Sequence, residues 1–349
     1  MKKLLSASLI AVVLTICGCE KMLLGPEPDN TPQNNLDILW KTLDENYALF
    51  PVKTVNWDSV HQFYRAKLNN STSETDSWNV TCNMLSNLDD GHVHLVNADN
   101  TQAYNSSRIA LRKPDDFSLD LVKSKYLSSV KIIGAGQILY GKVTNTNIGY
   151  IYISSFGNPL GSGSNWANDI DIAVQELSAC DGLIIDIRNN GGGLVVTLRT
   201  IVADFIDHDI NYFDQRAKTG PGHNEFGPPI HLLAGRSSGR PSFTKKLALL
   251  TNRFSGSASE HFTQIFKNLS YAKQIGDTTF GAFGDIINTI ELPNGWTCTY
   301  PCRLTTTPEG KCFEGIGIVP DILAENTKND ISAGRDIAMN AALAYLTGK

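Results

Sequence analysis

Between residues 36 and 90 the apolar positions recur at helical spacing. Leu36, Ile38, Leu39, Leu43 and Tyr47 share one face, Val60, Phe63, Tyr64 and Leu68 a second, and Trp78, Cys82, Leu85 and Leu88 a third. A period of three to four predicts amphipathic helices, so residues 36–100 read as a small helical N-terminal region. From about residue 105 the period shortens. Residues 117–122 and 139–143 alternate and predict strands of a small β-element over 101–147. Ile148-Gly-Tyr-Ile-Tyr-Ile153 is a strand leading into a loop, and residues 166–180 return to helical spacing. Gly182-Leu-Ile-Ile-Asp-Ile187 is nearly all apolar, as strands buried on both faces of a parallel sheet are. Residues 195–205 are helical again, and 218–243, rich in Gly, Pro, Ser and His, read as a long surface loop. A strand at 247–251 is followed by a helix at 257–269, with Phe262, Ile265, Phe266 and Leu269 on one face. A strand at 273–276, a hairpin over 284–305 and a helix at 331–346 close the chain. Strands alternating with helices over 148–349 predict an α/β fold, a mainly parallel sheet flanked by helices.

The first residues obey a different pattern. Lys2-Lys3 precede a short apolar run at 4–16, which is too short to span a bilayer comfortably and fits a secretory signal. Ile16-Cys17-Gly18-Cys19 resembles the bacterial lipobox. That resemblance implies removal of residues 1–18 and a lipid on Cys19, which would fix the protein to a membrane of the bacterial cell envelope, on the periplasmic or the surface face. Residues 19–35, rich in Pro, Asn and charge, read as a tether.

Composition narrows the partners. With 349 residues, 42% of them hydrophobic, the chain can bury a substantial core. Its formal charge of -5, without any run of Lys or Arg, argues against nucleic acid. Cys82, Cys180, Cys298, Cys302 and Cys312 remain in the mature chain, and outside the cytoplasm a disulfide among the last three is open. Cys298, Cys302 and Cys312 lack a fourth ligand, so no metal is expected. Gly191-Gly-Gly193 matches neither the dinucleotide fingerprint nor a phosphate loop with its lysine, so no cofactor is expected either.

Four short motifs carry the candidate chemistry: Leu88-Asp-Asp-Gly-His-Val-His-Leu95, Asp186-Ile-Arg-Asn-Asn-Gly-Gly-Gly193, Arg253-Phe-Ser-Gly-Ser-Ala-Ser-Glu260 and Glu314-Gly-Ile-Gly-Ile-Val-Pro-Asp321. The serine motif sits where a strand turns into a helix, at exposed N–H groups and a positive dipole end. Together the four offer a nucleophile, a base, an acid and backbone donors. Serine is a poor nucleophile until a base takes its proton, and the developing oxyanion needs N–H donors that a glycine loop can present.

The set resembles the serine peptidase family of the C-terminal-processing and tricorn-core proteases over about 145–325. The matching motifs are Asp186-Ile-Arg188-Asn-Asn190-Gly-Gly192, Ser255-Gly-Ser257-Ala-Ser259-Glu260, Thr279-Phe-Gly281 and Gly315-Ile-Gly-Ile-Val-Pro-Asp321, in the family's order. The resemblance implies a ClpP/crotonase-like core, hydrolysis of peptide bonds in a polypeptide substrate, and Ser257 as nucleophile. It implies an oxyanion hole from the N–H of Ala258 and of one glycine in 191–193, with Gly192 favoured. Ser255 and Ser259 are then structural or face the substrate, and Glu260 packs or caps. The C-terminal-processing branch takes its lysine base just after T-F-G; here Ala282 stands there. The tricorn branch uses a histidine from an N-terminal motif, which L-D-D-G-H resembles. This puts His92 in the base role ahead of His94, and Glu314 in the acid role. The branch has a serine before that histidine, where this chain has Gly91. His261 reads as a helix-surface residue. The interval between His92 and Ile148 is too short for the PDZ domain that many relatives insert. The alternative is a catalytically inactive binding protein on the same fold, taking a hydrophobic ligand, as the family's retinoid-binding relatives do, or a peptide.

Overall fold

The computed structural model describes residues 29–108, 115–160, 163–284 and 287–349. The expected signal and Cys19 lie outside the described residues. Helix α1 (Pro32–Asn46) starts inside the stretch read as tether. Thr31 caps it by accepting the Asn34 N–H, and Pro32 stands in the first turn, where a missing N–H is no loss. Helices α2 (Trp57–Arg65) and α3 (Glu74–Leu85) follow, capped by Asn56 and Ser73. All three turn apolar faces inward, and Leu36, Leu39, Leu43, Trp57 and Leu85 pack into one core.

Strands β1 (His94–Val96) and β2 (Ala103–Asn105) come next. Residues 117–122, expected as a strand, turn helical instead. Ser118 accepts the Leu121 N–H and opens a helical turn that widens at Val122–Tyr126. Six alternating residues are too few to outvote that cap. Strands β3 (Lys131–Ile133) and β4 (Ile138–Lys142) add to the main sheet through β5 (Ile148–Ile153), so 101–147 is not a separate β-element.

The chain then alternates α4 (Ile170–Glu176), β6 (Gly182–Asp186), α5 (Val195–Val202), β7 (Ile210–Ala217), β8 (Ile230–Ala234), β9 (Lys246–Thr251), α6 (Ala258–Lys267) and β10 (Ala272–Gly276). Strands β11 (Ile287–Glu291), β12 (Thr297–Pro301), β13 (Arg303–Thr306) and β14 (Ile322–Leu323) precede helices α7 (Lys328–Ser332) and α8 (Ile337–Thr347). The expected single C-terminal helix is thus split, with Gly334 between the halves at φ 70.

Seven strands form the main sheet in the order β14-β10-β9-β6-β5-β4-β3. From β14 to β5 they run parallel; β4 runs antiparallel to both its neighbours, β5 and β3. One face packs α4, α5 and α6 through Val174, Leu198, Phe262 and Phe266. The other packs α8 and the widened turn through Met339, Ala342, Val122 and Tyr126. The expected sheet with flanking helices is therefore the architecture found. Strand β8 runs through the expected 218–243 loop and pairs with β7, which β13 flanks on its other side.

A four-stranded sheet, β11-β12-β1-β2, joins the two ends of the chain. His94 lies opposite Thr299 and Leu95 opposite Cys298. Trp296, Cys298 and Tyr300 from this late hairpin complete the core of the N-terminal helices. The histidine motif is thereby fastened to residues far downstream.

Candidate active site

Strands β6 and β9 are parallel neighbours, so their carboxyl ends release two loops side by side, where α/β sheets commonly hold their sites. The first loop is anchored by Arg188. Its buried guanidinium bonds Asp186 at 2.6 Å and Asp336 at 2.9 Å and lies over the Phe117 ring. Asn190 ties the two loops together. Its amide donates to Ile153 O at 3.0 Å, and its backbone carbonyl accepts the Gly256 N–H at 3.1 Å and the Ser259 hydroxyl at 2.8 Å. Gly192 sits at φ +104, and a Cβ there would lie 2.7 Å from Gly256 O and 2.9 Å from Ser257 Cβ. Only glycine fits so close to the serine turn.

The three serines of that turn differ. Ser255 donates to Ile187 O at 2.9 Å and accepts the Asn252 N–H, and Ser259 holds Asn190 O; both are buried, so neither faces substrate. The Ser257 Oγ lies 3.1 Å from His92 Nε2, across 165 residues of sequence. Ser257 adopts φ 53 and ψ -119, a conformation that costs a residue with a side chain about 1–3 kcal/mol. Glu260 holds it there. One oxygen of the buried carboxylate accepts the Thr279 hydroxyl at 2.6 Å and the Gly281 N–H at 2.7 Å, and the other accepts the Ala282 N–H at 2.8 Å and the Ser257 N–H at 3.1 Å. Burial pushes its pKa up to about 7 against the pull of these donors. Glu260 is more than a cap: it clamps the serine turn to the T-F-G loop.

Ala258 opens α6, so its N–H is among the first four of the helix, which lack intrahelical partners. The other expected oxyanion donor is the Gly192 N–H. It already donates to Asn190 Oδ1 at 2.9 Å.

The turn carrying His92 is built on Asp90. That buried carboxylate accepts the Tyr47 hydroxyl and the His92 N–H, both at 2.7 Å, while the Thr299 hydroxyl donates to His92 O at 3.0 Å. His94 points elsewhere: its Nε2 meets Gly91 O at 2.6 Å. Gly91, where the tricorn branch has serine, is closely packed. A Cβ there would lie 2.8 Å from Phe280 Cε1 and 3.0 Å from Ala282 Cβ.

Glu314 is buried, accepting the Phe283 N–H at 2.7 Å on one oxygen and Lys53 Nζ at 3.1 Å on the other. The adjoining Gly284 lies against the histidine, since a Cβ on it would be 3.4 Å from His92 Nδ1. Burial and the Asp90 charge push the Glu314 pKa up to about 8, with Lys53 and the Phe283 N–H opposing. Lys53 had no signal in the sequence: a lone lysine in a short connection becomes buried only when the helices and the Glu314 loop close on it. Ala282, in the lysine position of the other branch, is buried, and Lys267 is paired with Asp321 at 2.9 Å. His261 is not on the helix surface; it is buried edge-on to Tyr212 and Phe213. Among the described residues no group of three or more His, Cys, Asp or Glu is arranged to hold a metal, and Cys298 and Cys312 are free thiols.

Residues 147–324 match the family described as Peptidase family S41, and residues 28–86 match the Tricorn protease C1 domain. The carboxy-terminal processing protease CtpB of Bacillus subtilis is 27% identical over 183 residues, 52% of this chain and 35% of that one. The tricorn protease of Thermoplasma acidophilum is 28% identical over 197 residues, 56% of this chain and 16% of that one. The match thus spans well under half the length of these curated relatives. Among solved structures, a candidate peptidase from Parabacteroides merdae superposes with a TM-score of 0.81 at 29% identity, over 91% of this chain and 97% of that one. Mature CPAF, solved in complex with lactacystin, superposes at 0.67 with 15% identity over 91% and 97%, a likeness of fold.

Proposed function

Because the chain belongs to peptidase family S41, we propose that it is a serine endopeptidase acting on exported proteins or peptides, with Ser257 as nucleophile, His92 as general base and Glu314 as the supporting acid. The observation that carries this reading is the 3.1 Å approach of Ser257 Oγ to His92 Nε2 at the first turn of α6. His92 takes the hydroxyl proton as Oγ attacks the peptide carbonyl, then returns it to the leaving amine. Glu314 balances the transient imidazolium. The oxyanion forms at the positive end of α6, against the Ala258 N–H. Gly192 supplies the second donor, its N–H exchanging Asn190 Oδ1 for the oxyanion. The strained Ser257 backbone keeps the hydroxyl presented before substrate arrives.

Lipid attachment at Cys19 and an envelope location belong to the same reading. They are supported by the basic pair, the short apolar run and Ile16-Cys17-Gly18-Cys19. No helix among the described residues is long and apolar enough to cross a membrane. Labelled palmitate should enter the wild-type chain in a bacterial host and not the Cys19→Ala chain.

A fluorophosphonate probe tests the chemistry. It should label Ser257 and leave folded Ser257→Ala unlabelled. A folded wild-type chain that neither labels nor cleaves a peptide library would return the reading to a binding protein.

A further inference from the structure

Resting on the Ser257–His92–Glu314 reading, we propose that Lys53 is a positioning residue of the active site, fixing Glu314 and supplying the buried positive charge that keeps this acid able to balance the imidazolium. Lys53 follows the short helical turn Phe50–Val52 and reaches inward. Its Nζ donates to Glu314 Oε1 and to Asp89 O, both at 3.1 Å. One side chain therefore ties the helical region, the histidine turn and the Glu314 loop together. The side chain is 11% exposed and lines a cleft of about 440 Å3 together with Asn87, Asp89, Arg108, Glu314 and Ile316.

The charge count explains why a cation is needed. Two buried carboxylates serve this region: Asp90 accepts the His92 N–H, and Glu314 accepts the N–H of Phe283, whose neighbour Gly284 borders His92 Nδ1; Lys53 is the cation between Glu314 and the Asp89 carbonyl. Lys53 offsets the charge of ionised Glu314 in the resting site, and the imidazolium formed during turnover adds a second positive charge for the acids to balance. Without Lys53, burial and the Asp90 charge would act on Glu314 with no cation opposing them, and Glu314 would hold its proton to higher pH. Burial and Asp90 already raise its pKa, and Lys53 is the largest counterweight. A protonated Glu314 cannot balance an imidazolium.

The other titratable groups around the pair do not substitute. Burial and the charges of Asp90 and Glu314 raise the Tyr47 hydroxyl well above its usual range, and burial pushes the Cys312 thiol up to about 11. Both therefore stay neutral where the enzyme would work. Burial pulls the Lys53 pKa down, but Glu314, Asp90 and Asp89 together outweigh it and leave the pKa above its usual value, so the ammonium persists.

The experiment uses the full chain with Lys53→Met, Lys53→Arg, Glu314→Gln and the Lys53→Met/Glu314→Gln double variant, read by fluorophosphonate labelling and by peptide hydrolysis across the neutral to alkaline range. Lys53→Met should lower kcat by at least about 10-fold with KM nearly unchanged, short of the ~10²–10⁴-fold expected for loss of the base itself. Lys53 lowers the Glu314 pKa, so its removal should move the ascending limb of the pH profile to higher pH by about one unit or more. Arginine should restore most of kcat. In the Glu314→Gln background, Lys53→Met should cost less than about 2-fold more, because the lysine acts through the acid. An unshifted profile for folded Lys53→Met, or losses that multiply in the double variant, would overturn the proposal. If Lys53→Met does not fold, the arginine and double variants decide. A wild-type chain that fails to label at Ser257 removes the underlying reading and this proposal with it. A labelled wild type with a Lys53→Met profile like its own removes the proposal alone.

Discussion

Glu260→Gln is the sharpest perturbation available at the serine turn. The carboxylate receives four donors, two on each oxygen. A glutamine keeps one acceptor oxygen and places an NH2 where the other stood. The least costly orientation aims the NH2 at Thr279 and Gly281. The threonine hydroxyl can rotate and accept, but the Gly281 N–H is left facing another donor. One buried unpaired N–H costs about 1–3 kcal/mol.

The pH dependence has a definite sign. Burial raises the Glu260 pKa from the usual 4.5 to about 7. A carboxyl raised on folding contributes stability that is whole below its unfolded value and is lost as pH rises through the folded one. The shift corresponds to on the order of 3 kcal/mol between about pH 4.5 and about pH 7. Glutamine does not titrate, so the variant's deficit should be largest in mild acid and should narrow toward pH 8.

The clamp also has a kinetic role. Glu260→Gln in that orientation keeps the Ser257 N–H acceptor, but Glu260→Ala removes it; Ser257 can then relax from φ 53, and about 1–3 kcal/mol of released strain would lower the competent population by roughly 5- to 150-fold. Urea unfolding at several pH values gives the first quantity, and kcat/KM with the fluorophosphonate labelling rate gives the second. A Glu260→Gln deficit that widens with pH, or a folded Glu260→Ala chain labelling at the wild-type rate, would refute the reasoning.

The other predictions concern the same site. Ser257→Ala should abolish hydrolysis while the fold survives, and Ser257→Gly should melt higher than Ser257→Ala, by about 1 kcal/mol, because glycine tolerates the positive φ. His92→Ala should lower kcat/KM by ~10²–10⁴-fold, whereas His94→Ala should leave turnover within a few-fold; steady-state kinetics on one peptide compares them. Gly91→Ser should destabilise the chain by about 1–3 kcal/mol in denaturant titration, since its Cβ meets Phe280. With the Glu314 pKa near 8 and the ionised form needed, kcat should still be rising with pH in the mildly alkaline range.

The serine turn was readable because two local signals met there, a continuous apolar strand and a helix with Phe262, Ile265 and Phe266 on one face. Motif order extended that reading to the glycine loop and, through L-D-D-G-H, to a histidine motif far upstream. Local pattern failed where a single contact outweighs it. Ser118 caps a helical turn in a stretch that alternates like a strand. Strand β8 leaves Ile230 and Leu233 exposed, so no buried face marks it. His261 follows the serines on a helix, yet β7 covers it with aromatic rings. Lys53 and the Gly192 N–H were illegible for a common reason: each is defined by a partner that only tertiary structure brings near.

The sheet β11-β12-β1-β2 sets a timetable. Thr299, which steadies the His92 backbone, follows it by 207 residues, and the outer edge of β1 has no mate until β12 has been made. Contacts so distant in sequence form late. A growing or clipped chain ending between α6 and β12 would carry the serine without a fixed seat for the histidine. On the proposed reading such a chain would be inactive, and hydrolysis would begin only after β12 has paired with β1.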